Sequence, residues 1–266
     1  YKLLEESPTK GFTISRGCPY LCTFCYAHSL RKQYIGSKFV RFYSYDYIIK
    51  HIKDVKKSYP LDAIKFFDST FTVNYSYIKE FLPLYKKEID IPYLINTRFD
   101  NLNEDIVRLL KETGCDRITL GLESGNEKYR KEVLKKNFTN DRVIKTANLI
   151  HKYGIRMQVN SIFGLPGETL DNAFDTINLS IKVKPQSCSA FIFHPYPGTD
   201  LDKYSKEHGY LEKDFDYKNL PVSYYSWRPL KQKNTNELCN LSRFYALLVK
   251  NPSLKFFVRY LIKLPP

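Results

Sequence analysis

Three cysteines carry the chemistry that is easiest to read in this chain. In Arg16-Gly17-Cys18-Pro19-Tyr20-Leu21-Cys22-Thr23-Phe24-Cys25-Tyr26, three residues separate the first pair of thiols and two separate the second. That spacing lets three thiolates wrap one face of an iron-sulfur cubane, each taking one iron and leaving the fourth iron without a cysteine. Cys115, Cys188 and Cys239 lie far along the chain and do not continue the motif. An iron left open is a Lewis-acid position that a small molecule can chelate, so the pattern points to a catalytic rather than a closed structural centre. Two plainer readings compete. A zinc knuckle would recruit His28 as fourth ligand, but this spacing matches none of the common zinc templates. Chance cysteines in a buried loop fit poorly with a Gly-, Pro- and aromatic-rich segment that follows a strand, where βα enzymes build their sites.

The elements that must hold such a loop alternate. Short β-rich runs fall at Phe12 to Ser15, Ala63 to Phe67, Tyr93 to Arg98, Arg117 to Leu122, Arg156 to Phe163 and Ser189 to His194. Helical periodicity occupies Tyr45 to Lys57, Tyr75 to Glu88, Glu104 to Glu112, Lys128 to Lys135, Asp141 to Tyr153 and Leu170 to Val183. Six strands alternating with helices read as parallel βα units, in an open sheet or a partial barrel. Gly114 and Gly154 sit just past their helices, where a left-handed residue turns the chain toward the next strand. After residue 200 the pattern changes to a tyrosine-rich irregular stretch, Lys203 to Leu230, and then to helices at Asn236 to Lys250 and Ser253 to Leu264. We therefore expect a core domain at 1–200 and an irregular and helical extension at 201–266.

Composition narrows the class. A chain of 266 residues can bury a core without disulfides or metal, and six cysteines are far below the density of a secreted scaffold, so a reducing, cytoplasmic location is expected. No apolar run is long enough to span a bilayer. The chain begins at Tyr1 rather than a methionine, and we expect coding sequence upstream of it. The net charge of +14, from 42 basic and 28 acidic residues, is mostly lysine scattered in pairs such as Lys56-Lys57 and Lys86-Lys87. Solvated helix faces explain that pattern better than a nucleic-acid groove, whose readers cluster arginine. The last helix is basic and amphipathic; packing on the domain is its ordinary use, and a membrane surface is the alternative partner.

On these motifs the chain resembles the radical S-adenosylmethionine (SAM) superfamily over residues 11 to 200. The family's three cysteines, with an aromatic before the third, correspond to Cys18, Cys22, Phe24 and Cys25. The resemblance implies an α/β fold, a partial (β/α)6 TIM-like barrel, and a [4Fe-4S] cluster whose open iron binds SAM. It implies reductive cleavage of SAM to a 5′-deoxyadenosyl radical that abstracts hydrogen from a small-molecule substrate, with flavodoxin or ferredoxin as the reducing partner. It also places the SAM contacts at strand ends. Asp68 and Thr70, in Phe67-Asp68-Ser69-Thr70-Phe71, match the segment that receives the methionyl amine, although the family's usual Gly-Gly-Glu glycines are missing; helix capping by Ser69, Thr70 or Asn74 is the plain alternative. Asn96 matches a ribose contact. Glu123 and Ser124, in Leu120-Gly121-Leu122-Glu123-Ser124-Gly125, match ribose or amine contacts, Lys135 the partner of the SAM carboxylate, and Asn160 and Gly164, in Asn160-Ser161-Ile162-Phe163-Gly164-Leu165-Pro166-Gly167-Glu168-Thr169, the adenine segment. Together with Phe193-His194-Pro195-Tyr196-Pro197-Gly198-Thr199, these motifs are most similar to the cobalamin-binding branch, whose cobalamin domain precedes the cluster and is missing here. That branch implies cobalamin-dependent methylation or rearrangement. The alternatives are an RNA-modifying enzyme like the methylthiotransferases, and a non-catalytic zinc or iron-sulfur module.

Overall fold

The computed structural model describes residues 5–220, 223 and 230–265. Part of the tyrosine-rich stretch, 221–222 and 224–229, lies outside them. The strands are β1 (Thr9–Phe12), β2 (Ser15–Arg16), β3 (Arg41–Phe42), β4 (Ala63–Phe66), β5 (Tyr93–Thr97), β6 (Cys115–Glu123), β7 (Arg156–Phe163) and β8 (Ser187–Ile192). Among the helices are α1 (Tyr26–Arg31), α2 (Tyr45–Ser58), α3 (Tyr75–Glu88), α4 (Glu104–Glu112), α5 (Glu127–Glu132), α6 (Asn140–Lys152), α7 (Leu170–Val183), α8 (Asp200–Glu207), α9 (Thr235–Lys250) and α10 (Lys255–Leu261). Six strands form one sheet in the order β1-β4-β5-β6-β7-β8, and the pairs from β1 to β6 are parallel. Strands β2 and β3 make a separate antiparallel pair.

The expected first strand is displaced toward the N-terminus. Thr9 to Phe12 pair with Ala63 to Phe66, although Thr-Lys-Gly-Phe carries little β signal. The apolar residue beyond it, Ile14, is instead held in the connection by Asp68, which accepts its N–H at 3.1 Å. The segment at Lys128 to Lys135 is helical only through Glu132, and α1 and α8 are helices that periodicity did not show. Both are short, and tertiary contacts rather than propensity set helices of that length.

The chain divides into two compact units, 1–19 with 36–120 and 145–158, and 20–35 with 121–144 and 159–266. The first unit is cored by rings: Phe66, Phe71, Phe81, Tyr85 and Tyr93 are fully buried, with Phe66 5.0 Å from Phe71 and 5.7 Å from Tyr93. Its buried hydroxyls are satisfied, Tyr85 donating to the Ile91 carbonyl at 2.6 Å and Tyr93 lying 2.8 Å from Thr113 Oγ1. Helix α2 starts at Ser44, whose side chain accepts from Tyr47 N, and turns Ile48, Ile49 and Ile52 inward.

In the second unit the helices after residue 230 share a core with α7 and the ends of β7 and β8. Leu238, Leu241, Tyr245, Leu248, Val258 and Ile262 pack with Phe163, Phe174, Ile177 and Ile192. Tyr245 reaches through this core to Ser161 at 3.0 Å and Ser180 at 2.7 Å. The extension is thus continuous with this unit, and α8 lies on the far side of residue 200 in the same body. Helix α10 packs Val258 and Ile262 inward and leaves Phe256, Phe257 and Tyr260 exposed. No helix among the described residues is long and apolar enough to cross a membrane.

Candidate functional site

In the first unit the approach to Cys18 is tightly built. Gly17 has φ +85°, and a Cβ there would collide with the Phe39 carbonyl oxygen, so both backbone angle and space demand glycine immediately before the cysteine. Asp68 is 2% exposed, and its carboxylate accepts from Ser15 N at 2.7 Å, Ile14 N at 3.1 Å and Ser15 Oγ. Burial holds this carboxyl above its usual range in spite of the hydrogen bonds from Ser15 and Ile14. Thr70 Oγ1 donates to the Ser69 carbonyl at 2.8 Å and lies 3.8 Å from the Cys18 sulfur. Asp68 and Thr70 therefore brace the chain leading to Cys18. Asn96 donates to the Phe66 carbonyl at 3.4 Å, and Asn74, of the three capping candidates, is the one that caps α3.

In the second unit Cys22 and Cys25 begin the turn into α1. Cys25 N donates to the Cys22 carbonyl at 3.1 Å, and Cys25 is the residue ahead of the helix. Thr23 ties this turn to the α5 segment, its hydroxyl donating to the Val133 carbonyl at 2.7 Å. His28 Nε2 lies 2.9 Å from Asp200, which also binds Lys32. Cys115 and Cys188 are poor ligands. Burial pushes the Cys188 thiol up to about 11 and the Cys115 thiol higher still, against the thiolate a metal requires.

A cavity of about 320 Å³ opens in the same unit at the ends of β6, β7 and β8, lined by Phe24, Gly121, Glu123, Asn160, Ile162 and residues 191–194 and 196. Three residues expected from the motifs, Phe24, Glu123 and Asn160, thus line the same cavity. Glu123 sits at φ +65°, a left-handed angle that a non-glycine residue adopts only when its surroundings impose it. Its Oε1 accepts from Lys136 Nζ at 3.0 Å, and the same ammonium donates to the Gly121 carbonyl at 2.7 Å. A Cβ on Gly121 would collide with the Glu123 carboxylate, so the glycine makes the space into which that side chain folds.

Lys135, the expected basic contact, is exposed and left-handed at φ +54°; its neighbour Lys136, 3% exposed, is the one directed at Glu123. That the exposed Lys135 takes a left-handed angle beside a buried Lys136 is a placement that spacing alone does not reveal. Ser124 is fully buried and serves the backbone, its carbonyl accepting from Arg130 at 2.7 Å. Gly164, at φ +68°, donates its N–H to Glu168 at 2.6 Å, and Leu165 N reaches the same oxygen at 3.3 Å. Sequence reasoning assigned no role to Lys136 or to the Glu168 side chain, and it took Phe193 to Thr199 as a motif past the sixth strand without giving its residues separate roles.

The Radical SAM superfamily model matches residues 12–180, and the chain belongs to that superfamily, whose members hold a [4Fe-4S] cluster and SAM. The chain is 30% identical over 192 residues to an uncharacterized methyltransferase, PH0819, of Pyrococcus horikoshii, a match covering 72% of this chain and 40% of that one. It is 23% identical over 208 residues to the cytidylyl-2-hydroxyethylphosphonate methyltransferase of Streptomyces wedmorensis, covering 75% and 38%. Among solved structures it resembles the radical SAM methyltransferase TsrM of Kitasatospora setae, solved with cobalamin and a [4Fe-4S] cluster, with TM-score 0.65 and 15% identity over 75% of this chain and 37% of that one. That likeness shows the α/β fold of a partial barrel. The chain spans about two fifths of the length of these relatives.

Proposed function

We propose that this chain is the radical SAM portion of a cobalamin-dependent methyltransferase-like enzyme acting on a small molecule. The observation that carries the reading is the convergence of Phe24, Glu123 and Asn160 on one cavity at the strand ends of a radical SAM chain. The donor sets fit the groups. Cys18, Cys22 and Cys25 supply three thiols, all but Cys25 buried, for a cluster that asks one cysteine per iron. The cavity pairs an aromatic wall with one fixed carboxylate and an amide, as a ligand with a flat base, hydroxyls and an ammonium requires. When bound, cluster and SAM supply one-electron chemistry, the reductive cleavage of the sulfonium.

The protein's own part is positioning. Lys136 fixes the Glu123 carboxylate so that its second oxygen can accept from SAM, Glu168 shapes the turn that carries Gly164, and Asp68 and Thr70 hold the chain that presents Cys18. The aromatic lining, Phe24, Phe191, Phe193 and Tyr196, narrows access for water. The methyl-transfer half of the reading is supported by the two methyltransferase relatives, and we assign no residue of this chain to the corrin. Anaerobic reconstitution tests the core claim. The wild type should hold four irons and four sulfides and, with dithionite, release 5′-deoxyadenosine and methionine. Each of Cys18→Ala, Cys22→Ala and Cys25→Ala should lose the cluster, and Glu123→Gln should keep it while binding SAM about ten- to a hundredfold more weakly. A single cysteine variant with full iron content, or unchanged SAM affinity in Glu123→Gln, would overturn the assignment.

A further inference from the structure

A second cavity, in the first unit, has a lining unlike the one above. It holds about 470 Å³ and is bounded by Arg16, Arg41, Phe42, Tyr43 and Tyr47. The β2–β3 pair sets Arg16 directly across from Arg41. Like charges opposite one another on neighbouring strands repel, so a sheet of two residues per strand gains nothing from this arrangement by itself. The wall beside them is aromatic. Tyr43 and Tyr47 stack with centroids 5.2 Å apart and planes 21° from parallel, and the Arg16 guanidinium lies over the Tyr43 ring at 5.7 Å from its centroid, its Nε donating to the Tyr43 hydroxyl at 2.6 Å. Among the described residues no acidic side chain lines the cavity.

We propose that this cavity binds a nucleotide unit, its phosphate between the two guanidinium forks and its base against the tyrosine pair. One fork satisfies a carboxylate, whereas the oxygens and greater charge of a phosphate suit two. A stacked tyrosine pair offers a flat base the platform on which nucleic-acid binders rely. Its lining shares no residue with that of the cavity above. The unit can come from a free nucleotide or from a single RNA strand, and the phosphate and base chemistry is shared.

Calorimetry on the reconstituted protein, saturated with SAM so that the other cavity is filled, separates these sources. UMP should bind, with affinity falling as salt rises, and uridine and inorganic phosphate should each bind more weakly than UMP. Arg41→Gln should weaken UMP at least tenfold, Arg41→Lys less, and Tyr47→Ala should weaken UMP while leaving phosphate unchanged. Arg41 and Tyr47 are both exposed, so matching melting curves are expected for all three variants. If an eight-residue oligouridylate binds more tightly and with a steeper salt dependence than UMP, the strand is the source; equal affinity points to the free nucleotide. No binding of either probe, an Arg41→Gln protein that binds UMP as the wild type does, or phosphate binding as tightly as UMP would overturn the proposal.

Discussion

Replacing Glu168 by glutamine should stabilise this protein more in alkali than in acid. The side chain is 3% exposed; Oε2 accepts from Gly164 and Leu165, while Oε1 is buried with no hydrogen-bond partner. Burial pushes its carboxyl from 4.5 up to about 8, and the two backbone donors only partly oppose that. Between those values the folded protein keeps a proton that the unfolded chain has released, so stability falls as pH rises through the window and the loss is complete above pH 8. Each unit costs about 1.4 kcal/mol, which makes about 3 kcal/mol between pH 5.5 and 8. Glutamine offers the same accepting oxygen and never ionises. Urea unfolding of both proteins at pH 5.5, 7 and 8.5 should therefore give a stability gap that widens by about 3 kcal/mol from the lowest pH to the highest. Parallel stability profiles would show that Glu168 is ionised in the folded state, and the account of its burial would fail.

Two further substitutions probe the site's construction. Lys136→Met leaves the Glu123 carboxylate without its ammonium and should cost about 3 to 5 kcal/mol in urea unfolding, whereas Lys135→Met, at an exposed residue, should stay within about 0.5 kcal/mol; equal effects would place the ion pair wrongly. Gly17→Ala sets a Cβ against the Phe39 carbonyl at φ +85° and should cut iron content after reconstitution sharply, while Gly36→Ala, also at positive φ but in open space, should keep it.

The legible part of this molecule was the part written in local chemistry. The cysteine spacing, the alternation of strands and helices, and the glycines after α4 and α6, at φ +96° and +61°, all depend on neighbours in sequence. What escaped depends on neighbours in space. β1 is a strand because β4 pairs with it, and β2 and β3 are two residues each, too short for any periodicity. Asp68 looked like a ligand for an ammonium; whether a carboxylate faces a cavity or the backbone of Ile14 and Ser15 is decided 53 residues away. Lys135 and Lys136 are chemically identical, and only the left-handed turn at the first selects the second.

One arrangement beneath the site bears on how it moves. Arg130 is fully buried, and its guanidinium donates to the Ser124 carbonyl at 2.7 Å, the Phe138 carbonyl at 2.9 Å and Asn140 Oδ1 at 2.8 Å while lying over the Phe138 ring. Removal from water pushes it down to about 10, still charged at neutral pH. It clasps both ends of the chain between β6 and α6, so that segment cannot open a residue at a time: releasing Ser124 strands a cation in the interior. Amide exchange there should accordingly proceed through one cooperative opening of residues 124–140 rather than through local fraying. The end of β6 that carries Glu123 is then ready-made before any ligand arrives, and binding need not spend energy on ordering it.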